Sequence, residues 1–132
     1  GYTQEEWKLM QEVRKIMHAD DLPLCATCVR VPVYVGHSAS IHAEFSHPMT
    51  PEEARAILGE SPGTKVLDDP SVSLYPHAWS VAGSDNVYIG RVRQDICDPR
   101  ALMMWVVMDN LRKGGALNAL QIAESLIANE WL

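Results

Sequence analysis

Arg30 and His37 stand seven residues apart in the run CATCVRVPVYVGHS, residues 25 to 38, and they are the side chains best suited to chemistry on an anionic substrate. A guanidinium presents a planar fork that can hold a carboxylate through two parallel charge-assisted bonds, and an imidazole exchanges a proton near neutral pH. The plainer reading is an edge-strand arginine in solvent and a loop histidine, because both residue types favour surfaces. Spacing does not decide between the two.

The run itself has to position them. Val29, Val31, Val33 and Val35 alternate with Cys28, Arg30, Pro32 and Tyr34, the two-residue period of a strand with one buried face. An odd step of seven would send Arg30 and His37 to opposite faces of an unbroken strand. Pro32 cannot donate to a sheet ladder and Gly36 tolerates positive φ. The strand is therefore expected to break at one of them and bring both side chains into one cleft.

A second set of charges lies on a predicted helix over residues 3–17, with Thr3 as N-cap, Glu6 in the capping-box position and Trp7, Met10, Val13 and Met17 on one face. On the other side Glu5, Lys8 and Glu12 project together, most simply as a solvated face with an i,i+3 ion pair. Cys25 and Cys28 form a C-x-x-C that invites a zinc site with His37 and His42. The eight-residue gap between the pairs is short of the roughly twelve a finger needs, and an odd separation puts the two cysteines on opposite strand faces. No metal is expected. The three cysteines cannot all pair, which suits a reducing compartment, and each is expected to be a small buried thiol.

The remaining elements follow from patterning. A half-buried strand is predicted at 38–45, with surface histidines at His42 and His47. A helix opening at Thr50-Pro51-Glu52-Glu53 should stop at Gly59. A short strand near 65–67 precedes an irregular stretch to Asp85, and strands follow at 86–93 and 102–108, the second apolar enough to be covered on both faces. The last helix, 110–128, carries a stripe of Leu117, Leu120, Ala123 and Ile127, and Lys113-Gly114-Gly115 at its entry offers a weak anion-site signal. The sum is four or five strands with three helices in one domain.

At 132 residues, 47% hydrophobic and 21% charged, the chain can bury a core. Seventeen acidic against 11 basic residues give a net charge of -6 with no basic cluster, which disfavours nucleic acid. No apolar run approaches the ~18 residues of a membrane span, and no signal peptide is recognisable, so a cytoplasmic location is expected. The chain enters a helix almost at once without an initiator methionine and reads as a piece of a longer protein.

ATCVRVPVYVGHS resembles the T-C-V-R-V-P-V-x-x-G-H-S signature of the C-terminal half of the aspartate-semialdehyde dehydrogenase family. Three further stretches are similar to the same family in the same order: EEWKLMQEVRKIM at 5–17, VLDDPSVSLYPHAWSVAGSDNVYIGRVRQD at 66–95, and WVVMDNLRKGGALNALQIAE at 105–124. The resemblance implies that Arg30 binds the substrate carboxylate, His37 is the catalytic acid/base, Glu5 meets the substrate amino group and Lys8 its phosphate. It places Asn110 at the nicotinamide end of NADPH. The implied reaction is NADPH-dependent reduction of L-aspartyl 4-phosphate to L-aspartate 4-semialdehyde, on the route to lysine, threonine and methionine. The implied fold is α+β, a mixed, largely antiparallel sheet with helices on one face, as in the C-terminal domain of glyceraldehyde-phosphate dehydrogenases. The implied assembly is a homodimer through the sheet, or a homotetramer. The family commonly has alanine where Gly115 stands, which loosens the helix start without touching the chemistry.

No G-x-G-x-x-G fingerprint follows a strand, and none of Cys25, Cys28 or Cys97 matches the family's nucleophile motif. The cofactor half and the nucleophile are therefore expected upstream, with the final helix, about 114–128, packing against that half. The isolated chain is expected to be inactive and not to bind NADPH. A non-catalytic dimerisation domain and a related acyl-phosphate reductase are the alternatives. Intact Glu5, Lys8, Arg30 and His37 argue against the first, and the EEWK helix with the R-V-P-V-x-x-G-H-S run argues against the second.

Overall fold

The structure, a computed structural model, describes residues 1–131, which divide into two compact units, Gly1–Pro32 and the residues from Val33 onward. The first unit holds helix α1, Gln4–Ile16. Thr3 caps it in the predicted way: its hydroxyl accepts the Glu6 N–H, while the Glu6 carboxylate accepts the Thr3 N–H at 2.7 Å. Of the predicted apolar face Met10 is buried, whereas Trp7 and Met17 stay exposed.

The second unit is built on a four-stranded sheet in the order β1-β4-β3-β2, comprising β1 (His37–Glu44), β2 (Thr64–Val66), β3 (Val87–Gln94) and β4 (Ala101–Met108). β4 pairs antiparallel with both β1 and β3, and β2 runs parallel to β3, so the fold is α+β with a mixed, largely antiparallel sheet. Helix α2, Pro51–Glu60, packs on β2 and β3, and the one-turn helix α3, Ala78–Val81, contacts β4. The core gathers Ala54 of α2, Ile89 and Val92 of β3 and Leu102 of β4.

Local chemistry explains several details. The register of β3 shifts between Gly90 and Arg93, where Arg91 takes φ +54, and the buried Asp68 carboxylate accepts the N–H groups that the shift releases from Arg91 (2.7 Å) and Val92 (3.1 Å). Arg55 of α2 reaches the same carboxylate at 2.8 Å and so ties helix to sheet. At Gly90 a side chain would collide with the Leu67 carbonyl and the Pro76 ring.

Five expectations need correction. The run 25–36 forms no strand, and Val29, Val31 and Val33 are exposed, Val29 by 76%. Alternation alone could not make one: Pro32 lacks a donor, and among the described residues the only strand beside β1 is β4. Cys25 and Cys97 are exposed and Cys28 is half-buried, so none is a buried thiol. α2 passes through Gly59, where a side chain would meet open space, and stops at Ser61 before Pro62. The irregular stretch before Asp85 contains a 3-10 turn at Pro70–Val72 and the unforeseen α3. The last helix, α4, runs only Leu117–Ala128. A π turn at Arg112–Ala116 precedes it, and Gly115, at φ -136 and ψ -120, breaks the helical path. Its predicted core stripe is uncovered at Leu120 and Ile127.

Candidate functional site

In the first unit Glu5 and Lys8 sit on the exposed side of α1, and their charges approach only to 3.9 Å, too long for a hydrogen bond. Arg30 is exposed and has no ion pair or hydrogen bond among the described residues. What sequence reasoning missed is a second task of Glu6. Its second carboxylate oxygen accepts the Cys28 N–H at 2.8 Å, across 22 residues, so the side chain that caps α1 also pins the segment carrying Arg30. Glu6 is only 7% exposed, and the Thr3 backbone N–H, followed by that of Cys28, holds its carboxyl below the usual range. The capping box was legible from spacing, but the Cys28 bond had no local signal.

In the second unit His37 is the first residue of β1, exposed and paired in register with Met108. Gly36 before it has φ +101, the positive-φ turn anticipated for this position. Asn110, half-buried just beyond β4, accepts the Gly36 N–H on Oδ1 at 3.0 Å, which brings the sequence-predicted Asn110 next to the His37 backbone. Asp109 beside it, 4% exposed, went unnoticed in the sequence. Its carboxylate accepts the N–H groups of Gly83 (2.8 Å), Leu111 (2.9 Å) and Arg112 (3.3 Å). Those donors, Gly83 foremost, lower its pKa, and they fix the turn out of β4.

The weak anion-site signal at Lys113-Gly114-Gly115 is not supported. The Lys113 N–H is spent on the Asp109 carbonyl at 3.0 Å, and the Lys113 ammonium donates to Asn118 (3.1 Å) and Gln121 (2.7 Å). His42 pairs with Asp95 at 2.9 Å. Among the described residues no cluster of three or more His, Cys, Asp or Glu could hold a metal, and no helix is long and apolar enough to cross a membrane.

Residues 1–113 match the family described as semialdehyde dehydrogenase, dimerisation domain, and this chain belongs to that family. It is 50% identical over 127 residues to the aspartate-semialdehyde dehydrogenases of Aquifex aeolicus and of Legionella pneumophila, covering 96% of this chain and 37% of each relative. The crystal structure of aspartate semialdehyde dehydrogenase II complexed with ASA from Vibrio cholerae superposes with a TM-score of 0.90 at 39% identity, over 97% of this chain and 38% of that one. The chain thus spans well under half the length of the relatives it matches.

Proposed function

We propose that this chain is the substrate-binding and dimerisation domain, residues 1–132, of a cytoplasmic, NADPH-dependent aspartate-semialdehyde dehydrogenase. The enzyme would reduce L-aspartyl 4-phosphate to L-aspartate 4-semialdehyde for lysine, threonine and methionine synthesis. The observation that carries this reading is that the required ionic groups have no structural task. Arg30 is exposed and unpaired among the described residues, and Lys8 reaches Glu5 only loosely. Groups kept for stability alone would be expected to pair, and Glu5, Lys8, Arg30 and His37 are the residues that the resemblance to the family assigns to the site.

Arg30 would fork the substrate carboxylate, Glu5 would receive its amino group and Lys8 its phosphate. His37 would take up and return the proton that the nucleophilic thiol, on the upstream half, loses and regains. NADPH supplies a hydride when bound. Asn110 fits its nicotinamide end, because Oδ1 faces a donor while the amide nitrogen has no acceptor among the described residues and is left to bond a carboxamide oxygen. The open face of β1, where Ile41 is exposed, supports a homodimer through the sheet or a homotetramer built from it. The uncovered stripe of α4 supports packing against the upstream half, without which the isolated domain should be inactive.

Steady-state kinetics on the full-length enzyme test the assignment. Arg30→Lys keeps the charge but loses one of two parallel bonds, so kcat/KM should fall about ten- to a hundredfold, with part of the loss in KM. His37→Asn should lower kcat by about 10² to 10⁴ with KM little changed. A His37→Asn enzyme with near wild-type kcat would show that His37 has no acid/base role.

A further inference from the structure

Asn110 has a second task that the family resemblance does not supply. Its Oδ1 accepts the Gly36 N–H at 3.0 Å, linking residues 74 apart in sequence. The partner is a backbone donor, so the atom facing it must be the amide oxygen. Gly36 has little room to shift: at φ +101, a Cβ built on it would lie 3.2 Å from the Ala78 Cβ and 3.4 Å from the Met108 carbonyl oxygen. The next residue, His37, enters the ladder opposite Met108. The backbone is thus held by β4 from His37 onward and by Asn110 immediately before it. Asn110 is itself anchored, since the Asp109 carboxylate accepts the N–H groups of Leu111 and Arg112 on its far side and of Gly83 from the neighbouring loop.

We propose that Asn110 is a positioning residue for His37, acting through the Gly36 peptide, and that one side chain therefore serves two partners: the oxygen sets the turn before His37 and the amide nitrogen is left for the cofactor. The proposal rests on the reading of His37 as acid/base. Losing the oxygen should loosen the histidine even when cofactor is saturating, and displacement of about 1 Å is enough to cost a catalytic group up to a hundredfold.

The test uses the full-length enzyme and two near-isosteric variants. Asn110→Asp keeps an acceptor for Gly36 and loses the amide donor; Asn110→Leu loses both. Amide hydrogen exchange over a peptide spanning Gly36, measured without cofactor, should be about tenfold or more faster in the leucine variant and close to wild type in the aspartate variant. At saturating NADPH, kcat of the leucine variant should fall ten- to a hundredfold, while the aspartate variant stays well above it and shows its loss mainly in KM for NADPH. Should Asn110→Leu not fold, Asn110→Ser, too short to reach Gly36, carries the same expectation. Unchanged exchange in the leucine or serine variant, with kcat losses equal to those of aspartate, would overturn the proposal and leave Asn110 a cofactor contact only. Failure of the His37 reading is distinguishable, because it would appear in His37→Asn kinetics and leave the exchange result intact.

Discussion

Two apolar stretches of the chain that both read as strands came out differently. Ala101–Met108 is the β4 strand of the sheet, hydrogen-bonded to β1 and β3, with Ala101, Leu102 and Val107 fully buried. The run through Val29, Val31, Val33 and Val35 has the cleaner alternation, yet it stays irregular with three of its valines exposed. The difference is partnership. A strand must place its N–H and C=O groups on neighbours, and β4 has two. The valine run is interrupted by Pro32, and at its start it is held by a side chain in place of a strand, the Glu6 carboxylate that accepts the Cys28 N–H. Alternating hydrophobicity records which face wants cover. It does not say whether a neighbouring strand exists to complete the ladder.

That contrast can be broken most forcefully through stability. In denaturant unfolding of the 132-residue chain, Leu102→Ala should cost about 2 to 5 kcal/mol because it empties a filled core site. Val29→Ala should change stability by no more than about 0.5 kcal/mol. Equal penalties at the two positions would mean that the valine run is packed like β4.

A smaller effect sharpens the comparison from the other side. The Glu6 carboxyl is held below its ordinary range by the Thr3 and Cys28 N–H groups, so its contribution is complete above the unfolded-state value near 4.3 and is lost as pH falls through the lower folded value. Glu6→Gln offers one oxygen to two donors and no longer titrates. It should therefore be less stable than the parent near pH 7, with the gap closing as pH falls below about 4. A gap that is constant from pH 7 to pH 3 would show that the carboxylate charge plays no part in pinning the Arg30 segment.

How far the sequence carried differs by element for the same reason. The capping box of Thr3 and Glu6, the Thr50 N-cap and the positive φ of Gly36 are consequences of residues within a few positions of one another, and all were legible. The apolar run of β4 was equally plain. The Cys28 bond to Glu6, the Asp109 bond to Gly83 and the Gly36 bond to Asn110 are closed by the fold between distant segments. No local pattern announces them. The exposed thiols were misread because cysteine's usual burial is an average over proteins, and Cys25 and Cys97 are exposed in this fold. Glu5, Lys8, Arg30, His37 and Asn110 are assigned to the site by family resemblance, where residue spacing left Glu5, Lys8, Arg30 and His37 most simply on a solvated surface.

The most direct test of the central claim is a crystal structure of the full-length enzyme with aspartate semialdehyde bound. The Arg30 guanidinium should be forked on the substrate carboxylate, with the His37 imidazole within about 3.2 Å of the reacting group or one water away from it. A substrate carboxylate held by another cation, with His37 turned away from the reacting carbon, would contradict it.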